Sequence, residues 1–436
     1  MNNKKVAFIT LGCKVNLYDT EAMSELFQKS GYEITDFDNF ADIYIINTCT
    51  VTNFGDKKSR QMIRRAKRIN PNAIVVATGC YAQVFPKEVE IIEGVNIVLG
   101  TKDRGKIVEI TEEYKNKNAV LNNVDSIMKE KVFENLKINN LKDRTRAYIK
   151  IQEGCNRFCS YCIIPYARGP ARSRTPYETI EEVKALAERG YKEIVLTGIH
   201  VASYGIDLKD ENTSLIKIIK DIHEIDGIER IRLSSLEPCI INADFLNIAK
   251  SMPKLCDHFH LSLQSGCDRT LKRMNRKYTS KEYEKAVNMI RKFYSDAAIT
   301  TDVIVGFPGE TESDFNESAE FVKSVKLAKI HVFPYSPKRG TPAAVYENQI
   351  SNDIKKQRTH KMLEISEELN KEFLNRQKGN IKSVLFERCI SKDIYEGHTK
   401  NYITVRSEIK ENAVNNTFNV KIGDIISEET VSGIIL

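Results

Sequence analysis

From Val6 to about Leu99 short apolar runs (VAFIT, DIYIIN, AIVVATG, VNIVLG) alternate with segments of helical character such as TEAMSELFQKSG. Strands and helices taking turns predict a parallel sheet covered by helices. A weakly apolar, Asn- and Lys-rich interval, roughly Glu112 to Arg144, reads as a connector with room for an edge strand. A second alternating series follows: AYIKIQEGC, EIVLTGIH, RIRLSSLEP, HFHLSLQSG, TTDVIVGFPGE and KIHVFPYSP. These six strand candidates predict a β/α barrel or part of one, whose chemistry sits on loops at the C-terminal strand ends. From Asn352 a polar helix presents Met362, Ile365, Leu369 and Phe373 at helical spacing and ends near Gln377 to Asn380. The tail, SVLFERCI, NYITVRSEI, NTFNVKIG and TVSGIIL, is β-branched with turn residues between, as in a small antiparallel β-barrel. The fold class is therefore α/β, with units at 3–114, 141–371 and 374–436 and a connector at 115–140.

A length of 436 residues exceeds one compact core, and 41% hydrophobic with 29% charged residues describes a soluble globular chain. The net charge of +7, from 66 basic and 59 acidic residues, favours a polyanionic partner only where the cations cluster. The N-terminus, MNNKKVAFITLG, lacks a cleavage site and a long apolar segment, and no later run approaches the roughly 18 apolar residues of a membrane span. The expectation is a cytoplasmic protein without membrane contact. Thiols stay reduced there, so ten cysteines point to metal, cluster or catalytic roles for some of them.

Cys155, Cys159 and Cys162 have the spacing C-x3-C-x2-C. Thiolates are soft ligands suited to iron–sulfur clusters and zinc, and a tight loop lets three reach one centre. Structural zinc usually takes four protein ligands, and the fourth is missing locally. Chance burial of small thiols is the bland alternative. With Tyr161 just before the last cysteine, the stretch resembles the signature of the radical S-adenosylmethionine (SAM) enzymes. The resemblance implies a 4Fe-4S cluster on these three cysteines, with one iron left free for the amino and carboxylate groups of SAM.

Cys13 (LGCKVN), Cys49 (NTCTVT) and Cys80 (TGCYAQ) each lie where an apolar strand gives way to a loop. A parallel sheet would bring them to one edge, although three cysteines so far apart are, taken alone, more often structural. Their motifs, in this order, resemble the radical SAM methylthiotransferase family over essentially the whole chain. That resemblance implies a second, auxiliary 4Fe-4S cluster on Cys13, Cys49 and Cys80 and a C-terminal RNA-binding barrel of the TRAM type. LGCKVN with NTCTVT resembles the branch acting on threonylcarbamoyladenosine at tRNA position 37. The alternatives are the isopentenyladenosine branch, more typically GCQMN, the ribosomal-protein branch, or a non-catalytic metal–RNA binding protein. The implied partners are a tRNA anticodon stem-loop, SAM, a reductant and a sulfur donor, acting on a monomer. Cys239, Cys256, Cys267 and Cys389 match no ligand motif and are expected to be packing or incidental residues.

By the same resemblance, Gly198, Gln264 and Gly306 are expected to border SAM; no individual catalytic residue is assigned, and His200 is expected to support rather than react. For RNA, a helical projection of DKKSRQMIRRAKRINP puts Lys57, Arg60, Arg64 and Arg68 on one face and Met62, Ile63, Ala66 and Ile69 on the other. Arg168, Arg172 and Arg174 either contact phosphates beside the cluster or pair with carboxylates at strand ends. In the tail His398, Lys400, Tyr402 and Arg406 form a basic and aromatic mixture that resembles an RNA-binding face.

Overall fold

A computed structural model describes residues 4–114, 119–138 and 145–436. Residue 3, the two ends of the connector (115–118 and 139–140) and the first residues assigned to the barrel unit (141–144) lie outside the described residues.

The N-terminal strands are β1 (Lys5–Thr10), β2 (Glu33–Thr35), β3 (Ile43–Thr48), β4 (Ile74–Gly79), β5 (Ile97–Leu99) and β6 (Leu121–Asn123). They form one sheet in the order β2-β1-β3-β4-β5-β6, parallel throughout. β6 is the edge strand expected in the connector, and β2, only three residues long, left no readable pattern. β3 is buried along its whole length because both faces are covered. Tyr44 and Ile46 meet Met62 and Ala66 on one side, whereas Ile43 and Ile45 meet Met23 and Phe27 on the other. The register pairs Thr10 with Asn47 and Thr48 with Gly79, so three neighbouring strands end along one edge. From that edge start the helices α1 (Lys14–Lys29), α2 (Asn53–Ile69) and α3 (Cys80–Val84).

The six strands of the second series are β7 (Arg146–Glu153), β9 (Glu193–Gly198), β10 (Arg230–Leu233), β11 (His258–His260), β12 (Ala298–Val305) and β13 (Lys329–Pro334); a short β8 (Arg172–Ser173) pairs with β7. They hydrogen-bond as two sheets, β10-β9-β7-β8 and β11-β12-β13, linked by single bridges such as Leu236 to Leu261. The result is a partial barrel. On β7, Ala147, Ile149 and Ile151 pack outward with Val183 and Leu186, so Tyr148 and Lys150 face the interior. There α1 closes over them, with Asp19 bonded to Lys150 at 2.6 Å.

The long helix Asn352–Gln377 carries the predicted stripe across two cores: Met362, Ile365 and Leu369 join the partial barrel, Phe373 the C-terminal one. The tail closes a five-stranded barrel of β14 (Ile381–Ser391), β15 (Ile394–Thr399), β16 (Thr404–Glu408), β17 (Thr417–Ser427) and β18 (Thr430–Ile435), in the order β14-β15-β16-β18-β17. Four pairings are antiparallel and β16 with β18 is parallel. β15, the polar IYEGHT, lacks the alternation that marked its neighbours. This barrel docks on the N-terminal strand ends of the partial barrel: Arg230 donates to the carbonyl of His398 at 2.6 Å and Arg232 to that of Lys400 at 3.0 Å. Among the described residues no helix is long and apolar enough to cross a membrane.

Candidate active site

Cys13, Cys49 and Cys80 follow the ends of the adjacent strands β1, β3 and β4. Two glycines explain how close the chain comes there. Gly12 has φ +101°, and a Cβ on it would stand 2.9 Å from the Cys49 sulfur; Gly79 has φ +94°, and a Cβ would meet Asn47 Oδ1 at 2.4 Å. The asparagines of the same motifs fasten the loops. Asn16 Nδ2 donates to the carbonyls of Leu11 (2.7 Å) and Thr48 (3.0 Å), and Asn47 Nδ2 donates to that of Asn16 at 2.9 Å. Burial, followed by the neighbouring Cys80 and Cys13, pushes the Cys49 thiol up to about 12, and burial raises Cys80 as well. A bound cation would favour the thiolate forms of Cys49 and Cys80 that burial disfavours.

The second triad lies on the loop after β7. Cys155 N–H donates to the Gly169 carbonyl and Cys162 N–H to the Cys159 carbonyl, both at 3.0 Å. Burial and the adjacent thiols raise Cys155 to about 11 and Cys162 to about 12. Donors converge on the sulfurs: the Arg157 amide on Cys155 at 3.4 Å and Arg276 Nη1 on Cys159 at 3.3 Å. Glu237 anchors both arginines, at 2.7 Å from Arg157 and 3.4 Å from Arg276, and also His200 at 3.1 Å. Burial alone would raise Glu237, but His200, Arg276 and Arg157 hold its carboxyl down at about 2.

The spacing of the sulfurs bears on what they could hold. A tetrahedral zinc would draw its thiolates to about 3.8 Å from one another, given Zn–S bonds of roughly 2.3 Å. Among the described residues the only group of potential ligands with all donor atoms within 4.8 Å of one another is Cys267, Asp314 and Glu317. There Arg269 already occupies both carboxylates, at 2.6 Å each. Neither cysteine triad is that tight, a spacing compatible with a larger, multinuclear centre, and the guanidinium donor on Cys159, from Arg276, suits its anionic charge.

A buried ionic group welds the two cysteine-bearing regions. Asp19 of α1, Arg104, Lys150 and Glu153 of β7, and Arg168 are all without solvent exposure. Arg168 lies 2.8 Å from Asp19 and contacts Glu153, and its Nε donates to the Cys80 sulfur at 3.4 Å. Lys150 bonds Asp19 and, at 3.2 Å, Glu153. Arg174 is likewise buried on Glu182, and Arg172 is only 3% exposed. This decides the question left open for the three arginines: they serve buried carboxylates and backbone, not phosphates.

A cavity of about 1010 Å³ runs from Cys13 and Val51 past Ile164, Thr197 and Gly198 through the inside of the strands to His398 and Tyr402. Lys14 is exposed and lines it, its ammonium 5.8 Å from the centre of the Tyr148 ring. Burial, then Arg146 and Arg232, push the Lys14 pKa down. Gly198 lines this cavity, whereas Gln264 and Gly306 lie outside the lining: Gln264 bridges to Val303 of β12, and Gly306 rests on the Lys355 side chain.

Lys57, Arg60, Arg64 and Arg68 of α2 line a separate groove of about 1190 Å³ together with Phe54, which is 74% exposed. Met62, Ile63 and Ala66 are buried behind them. Arg60 also donates to the Tyr81 hydroxyl at 3.0 Å. The tail candidates are placed otherwise. Tyr402 stacks within the chain on Arg232 (4.5 Å), His398 (4.9 Å) and His258 (5.0 Å) while staying 38% exposed, and Lys400 donates to the Pro253 carbonyl at 2.7 Å.

Sequence reasoning missed Glu237, Arg276, Lys14 and the buried ionic group. Lys150 and Glu153 left a signal in AYIKIQEGC, charges inside a strand with no polar face to point to. All ten cysteines are free; Cys256 and Cys267 are buried as expected, and Cys239 sits beside Glu237.

Residues 149–322 match the Radical SAM superfamily, and residues 5–100 match the family described as uncharacterized protein family UPF0004. The chain is 45% identical over 422 residues to the threonylcarbamoyladenosine tRNA methylthiotransferase MtaB of Bacillus subtilis (strain 168), covering 96% of this chain and 93% of that protein. It is 42% identical to the MtaB of Aquifex aeolicus (93% and 97% covered) and 35% identical to a tRNA-2-methylthio-N(6)-dimethylallyladenosine synthase of Acetivibrio thermocellus (95% and 88%). In fold it resembles the radical SAM methyltransferase TsrM from Kitasatospora setae, with a TM-score of 0.56 at 15% identity, covering 79% of this chain and 77% of that one.

Proposed function

The chain belongs to the radical SAM tRNA methylthiotransferase family, and from that premise we propose that it places a methylthio group on carbon 2 of threonylcarbamoyladenosine at tRNA position 37. The observation that carries this reading is the 45% and 42% identity to two MtaB proteins over nearly the whole chain. In the structure Cys13 of one triad lines the central cavity, as does Ile164, two residues after Cys162 of the other.

The radical SAM family brings a 4Fe-4S cluster and SAM; Cys155, Cys159 and Cys162 would hold that cluster, and Cys13, Cys49 and Cys80 a second one. Together these groups supply the radical that breaks an unactivated aromatic C–H bond and the sulfur that replaces the hydrogen. The protein's own residues position and shield. The Arg276 guanidinium and the Arg157 backbone amide donate to sulfurs of one triad and the Arg168 guanidinium to a sulfur of the other, the two guanidinium groups offsetting negative charge. Glu237 keeps Arg276 aimed. The weld through Asp19, Lys150 and Glu153 keeps the two centres in register, as orientation-dependent chemistry demands.

The tRNA would approach along the α2 groove, where Lys57, Arg64 and Arg68 have no carboxylate partner among the described residues and the exposed Phe54 ring could stack on a base. The reaction also requires a reductant and a sulfur donor, and we place the enzyme in the cytoplasm as a monomer.

Nucleoside mass spectrometry of tRNA from cells with and without the gene tests the proposal. The expected result is a methylthio mass increment confined to threonylcarbamoyladenosine; an increment on isopentenyladenosine, or none on any RNA nucleoside, would overturn it.

A further inference from the structure

We propose that Lys14 reads the free carboxylate of the threonylcarbamoyl group and thereby selects the nucleoside; the inference rests on the substrate reading above. Lys14 immediately follows Cys13 and opens α1, and with Cys13 and Gly198 it lines the central cavity. Its ammonium stands over Tyr148, on the inward face of β7.

The neighbouring cations of that interior are already satisfied. Arg232 is bonded to Glu193 at 2.8 Å, Arg146 to Glu193 at 2.8 Å and Glu387 at 2.6 Å, and Lys150 to Asp19 at 2.6 Å. Across the cavity Lys329 pairs with Glu429 at 2.5 Å. Among the described residues no carboxylate pairs with Lys14. The first turn of α1 carries no acidic residue and no side-chain cap, so the helix end adds positive potential to that of the lysine. An ammonium without a carboxylate partner, lining a cavity whose other cations are already spoken for, is a place for an anion.

The substrate supplies one. The threonylcarbamoyl group extends from the adenine amino nitrogen and ends in a carboxylate, whereas unmodified adenosine, or adenosine with an alkenyl group on that nitrogen, brings no negative charge. SAM carries a carboxylate too, but the open iron expected to hold it belongs to the Cys155 triad, and Lys14 adjoins the other. A cavity cation that pairs the substrate's carboxylate favours the charged nucleoside over its neutral analogues, which offer it no partner.

The test uses anaerobically prepared full-length protein and labelled anticodon stem-loops identical except at position 37: threonylcarbamoyladenosine, adenosine or isopentenyladenosine. The wild type should bind the first at least about tenfold more tightly than the other two. K14Q should lose that discrimination, to within about twofold, without weaker binding of the unmodified loop, and K14R should restore most of it. Iron content reports whether each variant is loaded, and K14M serves as a second neutral variant if K14Q fails to load. Discrimination retained in the neutral variant overturns the assignment. Loss of SAM affinity with discrimination intact also overturns it, by giving the carboxylate to SAM. Should nucleoside mass spectrometry show that the wild type methylthiolates threonylcarbamoyladenosine while K14Q keeps the preference, only the role of Lys14 falls; a wild type that never modifies this nucleoside overturns both readings.

Discussion

Arg168 Nε donates to the sulfur of Cys80 at 3.4 Å, from one cysteine-bearing region of the chain to the other. The same guanidinium serves Asp19 and Glu153, so one side chain links the auxiliary triad, α1 and β7. Arg168→Met should therefore act twice. It leaves two buried carboxylates short of a partner, which typically destabilises by about 3–5 kcal/mol, and it removes the donor at Cys80. Urea denaturation should show the first effect, and a lower iron content after anaerobic purification the second. An unchanged midpoint would mean that the weld contributes nothing.

Glu237→Gln tests the positioning of the second triad. The carboxylate holds the side chains of Arg157, Arg276 and His200 together, and of these the Arg276 guanidinium donates to a triad sulfur, that of Cys159. Reductive SAM cleavage should fall by about tenfold or more, the scale expected when supporting residues of a metal site are lost. The iron expected at Cys13, Cys49 and Cys80 under the proposed function should stay. Full cleavage activity in the variant would reduce Glu237 to a packing role.

Acid should loosen the docking of the C-terminal barrel. Glu193 is buried beneath Arg232, Arg146 and Arg230, and although burial opposes ionisation, Arg232 and Arg146 hold its carboxyl at about 2. A carboxyl depressed from its ordinary value near 4.5 adds stability that is complete above that value and is lost as the pH falls toward 2. The contribution is about 3 kcal/mol by linkage. Denaturant midpoints measured from pH 6 downward should drop below roughly pH 4.5, and E193Q should be weaker at neutral pH with a shallower acid dependence. Equal slopes for both proteins would place the acid sensitivity elsewhere.

Charge reversal on α2 separates a nucleic-acid surface from a merely solvated one. Arg64→Glu with Arg68→Glu leaves Met62, Ile63 and Ala66 untouched, so the fold should hold. Stem-loop affinity should fall by an order of magnitude or more at low salt, and the slope of log affinity against log salt should shrink by about one or two units. Binding and slope equal to those of the wild type would remove α2 from the interface.

Much of this was legible in the chain. Period and punctuation placed β1, β3, β4, β5 and the six strands of the partial barrel, because strands buried on both faces read as apolar runs. The strand-end position of Cys13, Cys49 and Cys80 followed from the parallel order alone. What stayed hidden was long-range pairing. Arg168 and Arg174 look like a phosphate-binding run until the fold sets Asp19, from far upstream, and Glu182 against them. Tyr402 looks like a stacking platform for a base until Arg232 and His258 stack on it. Lys14 stands out only once the partners of its neighbours are known.

The central claim is that two separate cysteine triads each hold a cluster beside one cavity, and iron and sulfide analysis of anaerobically purified protein tests it most directly. The wild type should carry about eight irons per chain, and a variant with alanine at Cys13, Cys49 and Cys80, or at Cys155, Cys159 and Cys162, about four. Only the second variant should lose reductive SAM cleavage. About four irons in the wild type, or an iron content unmoved by removing the N-terminal triad, would contradict the account.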